Sequence, residues 1–243
     1  MLKINKHFGF TLSEVLITLG IIGVVSAMTI PSLVKNYQRQ VYVTQLRKVY
    51  NEVGQAVQAY MTDNRLVSMS ESRLVGNQAE MVNFVNTYFK TAKDCGTRYY
   101  QAGSPCFAEI YTSLDDTATV NLTERQCMKV ITTPSGAALC FDAGNMNDAV
   151  VNEDVNGDGK IDENDKLHSS NAIYDGTMVI AVEVDINGPA GPNISGRDYF
   201  SMQVRSDGMV YERNWGDDSA IDPSKASPMG IGKIIDDGWE MTY

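Results

Sequence analysis

Apolar and polar positions change rhythm twice along this 243-residue chain. From Phe10 to Pro31 nearly every residue is apolar or small, on all sides of a would-be helix and not along one stripe. That run would span roughly 33 Å at about 1.5 Å per residue, close to a bilayer core of about 30 Å. After Pro31 the pattern turns periodic. Leu33, Tyr37, Val41, Leu46, Val49, Val53, Val57 and Tyr60 recur three to five residues apart, with Arg39, Gln45, Arg47, Lys48, Asn51 and Glu52 mostly off the stripe. Proline loosens or kinks a helix without necessarily ending it. One helix over about 11–61 is therefore predicted, apolar in its first half and core-facing in its second.

Asn77-Gln-Ala-Glu80 reads as a capping box ahead of Met81, Val82, Phe84, Val85, Tyr88 and Phe89, predicting a second helix over about 78–91. Thr123–Gln126 suggests a short helical turn. Strands then dominate: Ala137–Asp142, the β-branched run Thr177–Ile186, and Tyr199–Arg205 with Met209–Arg213 around a Ser206-Asp207-Gly208 hairpin turn. Asn187-Gly188-Pro189 and Gly191-Pro192-Asn193 punctuate the connection before that hairpin. These strands predict an antiparallel meander able to bury the helical stripe. The Gly- and Asp-rich tail, 214–243, is expected to wrap as loop.

Glu14 is the anomaly of the apolar run. A carboxylate near the centre of a membrane helix costs about 2.5–3.5 kcal/mol, less towards its end. No basic residue of the segment lies near it, so its partner is expected from another chain or from a new chain terminus. A signal peptide with Lys3 and Lys6 as its basic region is the competing reading. Against it, Ser26-Ala27-Met28 is a weak cleavage site and the apolar run is long. A cut between Gly9 and Phe10 would instead create an α-amino group close to Glu14, and a staggered neighbour could offer its own amine inside an apolar medium.

Gly9-Phe10-Thr11-Leu12-Ser13-Glu14-Val15-Leu16 resembles the prepilin signature of type IV pilins and type II secretion pseudopilins. The shared features are a short basic leader, the Gly-Phe cut site, Glu14 as the fifth residue after Gly9, and Pro31 past the membrane portion of the helix. Ser13 stands where many members carry an apolar residue. The resemblance covers about residues 3–35. It implies a prepilin peptidase that removes residues 1–9 and N-methylates Phe10, an assembly and transmembrane helix over 10–31, and a globular domain over 32–243 outside the membrane. It also implies a single-pass protein of the inner (cytoplasmic) membrane with its C-terminal domain periplasmic or extracellular, assembling with other pilin or pseudopilin subunits through Glu14 and Pro31. Local charge leaves orientation ambiguous, because Lys3 and Lys6 compete with Lys35, Arg39, Arg47 and Lys48 on the other flank.

Cys95, Cys106, Cys127 and Cys140 show no CxxC spacing. An even number in an exported domain favours disulfides, and the sequential pairing Cys95–Cys106 and Cys127–Cys140 closes the shortest loops. The net charge of −10 is a poor match for nucleic acid. Residues 1–141 hold thirteen Lys+Arg against ten Asp+Glu, and residues 142–243 hold seven against twenty. The two histidines, His7 and His168, offer little for a zinc site or a nucleophile triad, and no GxSxG, Walker A or GxGxxG occurs, so an enzyme is not expected.

The acidic half contains one sharp motif, Asp154-Val-Asn156-Gly-Asp158-Gly159-Lys160-Ile161-Asp162-Glu163-Asn164-Asp165. Oxygen side chains at 154, 156 and 158 would face one concavity, Gly159 permits the sharp turn, Lys160 offers its carbonyl, and Asp162 and Asp165 complete the shell around calcium. The loop resembles an EF-hand, and with Asp at its last position it is closer to dockerin loops. The expected fold class is α+β and pilin-like: a long N-terminal helix on an antiparallel sheet, with an inserted structural calcium loop. The expected function is a structural subunit of a type IV pilus or type II secretion filament. The alternative is a membrane-anchored, calcium-dependent, dockerin-like binding module, for which a carboxylate at Glu14 has no use.

Overall fold

The computed structural model describes residues 11–143, 178–212 and 223–243. The chain divides into two compact units, Met1–Val41 and Tyr42–Tyr243. Helix α1, Leu12–Asn64, contains Pro31 without ending there. In the second unit its buried positions are Val43, Leu46, Val49, Val53, Ala56, Val57 and Tyr60, an i, i+3/i+4 stripe that lies on the sheet. The predicted stripe began ten residues earlier. Leu33 and Tyr37, 70% and 65% exposed, keep the period but bury little of themselves.

Helix α2, Gln78–Tyr88, starts at an Asn77 cap whose side chain accepts the Glu80 N–H at 3.2 Å. The Asn77 N–H goes to the Leu74 carbonyl and not to Glu80, so only half of the expected capping box forms. The helix ends three residues before the predicted 91. Its Phe84 and Tyr88 meet Tyr60 of α1 edge-on, and the following Phe89 meets Phe141 of the sheet with centroids 4.8 Å apart.

Among the described residues nine strands follow: β1 (Lys93–Asp94), β2 (Ile110–Thr112), β3 (Thr119–Asn121), β4 (Lys129–Thr132), β5 (Ala138–Asp142), β6 (Met178–Asp185), β7 (Tyr199–Arg205), β8 (Val210–Glu212) and β9 (Met229–Gly230). The main sheet runs β1-β4-β5-β6-β7-β8, antiparallel throughout; β9 pairs in parallel with Phe200 and Ser201 of β7, leaving Met202–Val204 of that edge to β8. Strand alternation sends Ile131, Leu139, Phe141, Val182, Val184, Phe200, Met202 and Val204 to the helices. It sends Val130, Ala138, Cys140 and Tyr199 to the opposite face. There the β2–β3 hairpin and its flanking loops cover the sheet with Tyr99, Phe107, Tyr111 and Leu122. The β7–β8 turn needs Gly208: its φ is +77°, and a Cβ would come 2.4 Å from Met61 Sδ.

Two disulfides, Cys95–Cys106 and Cys127–Cys140, tie this covering layer to itself and to β5. Charges beneath it are paired. Lys129 Nζ lies 2.6 Å from Asp94 Oδ2, and Arg125 Nη2 lies 3.3 Å from Glu183 Oε1, whose other oxygen accepts the Tyr199 hydroxyl.

Two further expectations need correction. Thr123–Gln126 is not helical: the Asn121 side chain accepts the Thr123 N–H at 2.8 Å, and the Arg125 N–H closes on the Leu122 carbonyl. An Asx turn satisfies the backbone locally and removes the need for a helix. The tail is more than loop. It adds β9 to the sheet and a short helix α3, Gly232–Asp236, burying Ile231, Ile234 and Met241. Trp239 packs edge-on to Tyr50, and the Tyr243 hydroxyl donates to the Gly196 carbonyl at 2.9 Å.

Candidate assembly segment at the N-terminus

The N-terminal part of α1 shows why an all-round apolar helix needs another medium. Leu16, Ile17, Leu19, Ile21, Ile22, Val24, Val25 and Ile30 are each more than half exposed. Fully burying such a side chain is worth about 1.5–3 kcal/mol. The chain's own folding leaves that energy unused here, so an apolar solvent or neighbouring helices must supply it. α1 is long and apolar enough to cross a membrane. Its hydroxyls are compatible with that. Thr18 Oγ1 donates to the Glu14 and Val15 carbonyls and Thr29 Oγ1 to the Val25 carbonyl, hiding each polar group against its own helix.

Glu14 folds back over the helix start. The Thr11 amide and the Thr11 hydroxyl both donate to Glu14 Oε2 at 2.8 Å, and the Glu14 amide donates to Thr11 Oγ1 at 3.2 Å. The pair is a reciprocal capping box. It satisfies two first-turn amides that otherwise have no helical partner, and places a carboxylate at the positive end of the helix dipole. The sequence-based expectation looks to another chain or to a new chain terminus for the partner of Glu14 and misses Thr11. The signal was present, since Thr11-Leu12-Ser13-Glu14 has the T-x-x-E spacing. The carboxylate keeps its second oxygen, Oε1, for which no partner is described, and so keeps capacity for an ammonium group.

Gly9 and Phe10 lie outside the described residues. So do His168 and the proposed calcium ligands Asp154, Asn156, Asp158, Lys160, Asp162 and Asp165; in sequence they belong to the connection between the hydrogen-bonded neighbours β5 and β6. Among the described residues no group of three or more His, Cys, Asp or Glu side chains is placed to hold a metal ion.

Residues 4–30 match the family model described as the prokaryotic N-terminal methylation motif, the prepilin-type signature. That span contains the cut site, Glu14 and most of the apolar run. No curated protein and no solved structure matches the chain.

Proposed function

From the prepilin-type signature at residues 4–30, we propose that the chain is a structural subunit of a type IV pilus or type II secretion filament, not an enzyme. The observation that carries this reading is the combination of that signature with an apolar helix surface left uncovered by its own fold. Before assembly the helix rests in the inner membrane, with residues 1–9 as leader and Tyr42–Tyr243 on the periplasmic or outer side. A prepilin peptidase cuts between Gly9 and Phe10 and methylates the new amine. In the filament, the exposed leucines, isoleucines and valines trade lipid for neighbouring helices. The contacts are heterologous and do not close, as a helical assembly requires.

Glu14 supplies register. Its Oε2 is held by Thr11, which leaves Oε1 for the Phe10 ammonium of a staggered neighbour. An unpaired carboxylate among apolar helices is costly, so the axial stagger that pairs it is favoured over the others. The calcium loop at 154–165 serves the globular domain structurally, its ion held by the oxygen ligands of that sequence. The dockerin-like alternative is the weaker reading, because a plain anchor needs neither the cut site nor Glu14.

Mass spectrometry of the mature protein tests the proposal. A chain beginning with N-methyl-Phe10 is the expected result. A chain that still begins at Met1, or one cut near Ala27, overturns it.

A further inference from the structure

The compact unit Tyr42–Tyr243 carries opposite features on its two faces. On the helix face lies a groove of about 470 Å³ lined by Lys48, Glu52, Gln55, Ala56 and Ala59 of α1, by Tyr88, Phe89 and Lys90, and by Pro134. Its floor is small and apolar, and lysines stand on its rim. Glu52 is tied to Lys48 at 3.8 Å and Asp63 to the Tyr88 hydroxyl at 2.9 Å, while Arg47 extends the basic surface along α1. On the other side of the sheet, the outer surface of the β2–β3 layer exposes Glu109, Asp115, Asp116 and Glu124 against Arg98. On the same hairpin Ile110 is 49% exposed, because strand alternation turns Tyr111 to the sheet and Ile110 to solvent; Asp115 and Asp116 belong to the turn at the far end from the Ile110–Asn121 pair. The helix face thus offers a groove with Lys48, Lys90 and Glu52 around apolar side chains, and the opposite layer offers an exposed Ile110 with Glu109 beside it in sequence and Glu124 three residues past its cross-strand partner Asn121.

We propose that the groove between α1 and α2 takes the β2–β3 layer of a second copy of this chain, with Ile110 over Ala56, Ala59 and Phe89, and Glu109 and Glu124 against Lys48 and Lys90. A heterologous contact needs two different, mutually complementary patches on one chain, and these patches lie on opposite faces of one sheet, so the contact can repeat head-to-tail from copy to copy. The charges fix orientation and partner choice more than affinity, and like charges brought together by any other docking are penalised. This contact rests on the filament reading above and adds a periplasmic or external interface to the one made by the N-terminal helices.

The test uses the full chain in cells, chemical crosslinking of the assembled form, and charge reversal. Lys48→Glu with Lys90→Glu should cut the crosslinked ladder at least tenfold, as should Glu109→Lys with Glu124→Lys. The four substitutions together should restore it, which a merely misfolded variant would not do. Ile110→Asp should lose the ladder with no rescue by any charge change. A wild-type ladder that survives both reversals overturns this interface and leaves the filament reading standing. Loss in both reversals without rescue in the combined variant also overturns the pairing. No ladder from the wild type overturns the filament reading and this interface with it.

Discussion

Thr11 gives Glu14 two donors at 2.8 Å, one from its amide and one from its hydroxyl, so the only carboxylate of the apolar run is anchored inside its own chain. That changes what substitutions there should do. Glu14→Gln keeps shape and loses charge; Glu14→Leu loses both. Each variant is expected to insert and to lose its leader, and each is expected to fail in joining a filament, as scored by sheared fibres or crosslinking. Thr11→Val should be milder. It removes the side-chain half of the capping box, worth about 0.5–2 kcal/mol at a helix start, yet leaves the backbone amide donor and the carboxylate. Incorporation of Glu14→Leu at the wild-type level would show that Glu14 does not dock the subunit.

Much of this fold was legible because its strongest signals are local and long. The apolar run, the stripe from Leu46 to Tyr60, the β-branched strand β6 and the hairpin turn at Gly208 each dictate their own conformation. The β1–β4 region escaped because β1, β2, β3 and β4 are two to four residues long, and their order comes from partners far away in sequence, such as Lys93 opposite Thr132. The tail escaped for a related reason. Ile231, Ile234 and Trp239 sit among glycines and aspartates, and only the edge of β7 and the side of α1 give them somewhere to go. Leu33 and Tyr37 erred in the opposite sense: helical period says which face is apolar, not whether a surface of the same chain covers it. At the N-terminus, Glu14 was found as a cost to be explained, while Thr11, its partner by ordinary capping spacing, was not.

The disulfides brace the layer that carries Tyr99, Phe107 and Tyr111. Non-reducing peptide mapping should recover Cys95 with Cys106 and Cys127 with Cys140. Each short loop should contribute roughly 2–4 kcal/mol through the unfolded chain. Reduction should therefore lower the melting temperature, with the covering layer opening before the α1–sheet core. Free thiols throughout the mature protein would contradict an exported domain.

Two buried carboxyls set a pH dependence. Burial pushes the Asp198 carboxyl up to about 6, against the N–H groups of Asn193 and Ile194 that it accepts. Burial pushes Asp185 well above the carboxylate range, the nearby Asp198 charge adds to this, and the Tyr111 hydroxyl hydrogen bond opposes it. The two carboxyls also face Tyr42, whose hydroxyl is raised by burial and then by the Asp198 and Asp185 charges, while Arg197 acts on it in the opposite sense. The folded state therefore holds protons that the unfolded chain has already released. This contribution is fully present below about pH 4 and is lost as pH rises through 6 and beyond. Asp94 and Asp237, held low by Lys129 and Lys233, work in the opposite direction, but only as pH falls below about 4. The melting temperature should accordingly fall between pH 5 and pH 8. Asp198→Asn should be less stable, since an amide cannot accept at both positions, and should flatten that slope. An unchanged slope in the variant would remove Asp198 as its cause.

Calcium gives the sharpest test of the loop at 154–165. An extracellular-type site of this composition is expected to bind with a Kd of about 10⁻⁴–10⁻³ M, weakened by the short Asp165 where a longer Glu would reach the ion from both oxygens. Binding to the folded state alone stabilises by about 2.7 kcal/mol at a free concentration of 100 Kd. The full chain in detergent should then melt several degrees higher in about 10–100 mM calcium, a hundred times that Kd, than in chelator. Asp154→Ala and Asp158→Ala each remove a side-chain ligand and should abolish the shift. Lys160→Ala should leave it intact, because that position offers its backbone carbonyl and any L residue carries one. The contrast separates a coordinated ion from a screened acidic surface: general screening would respond to the change at Lys160, which makes the loop more acidic, and would be only slightly reduced by losing one aspartate of many. If calcium and chelator give the same melting temperature in the wild type, the sequence 154–165 is an acidic turn and holds no ion.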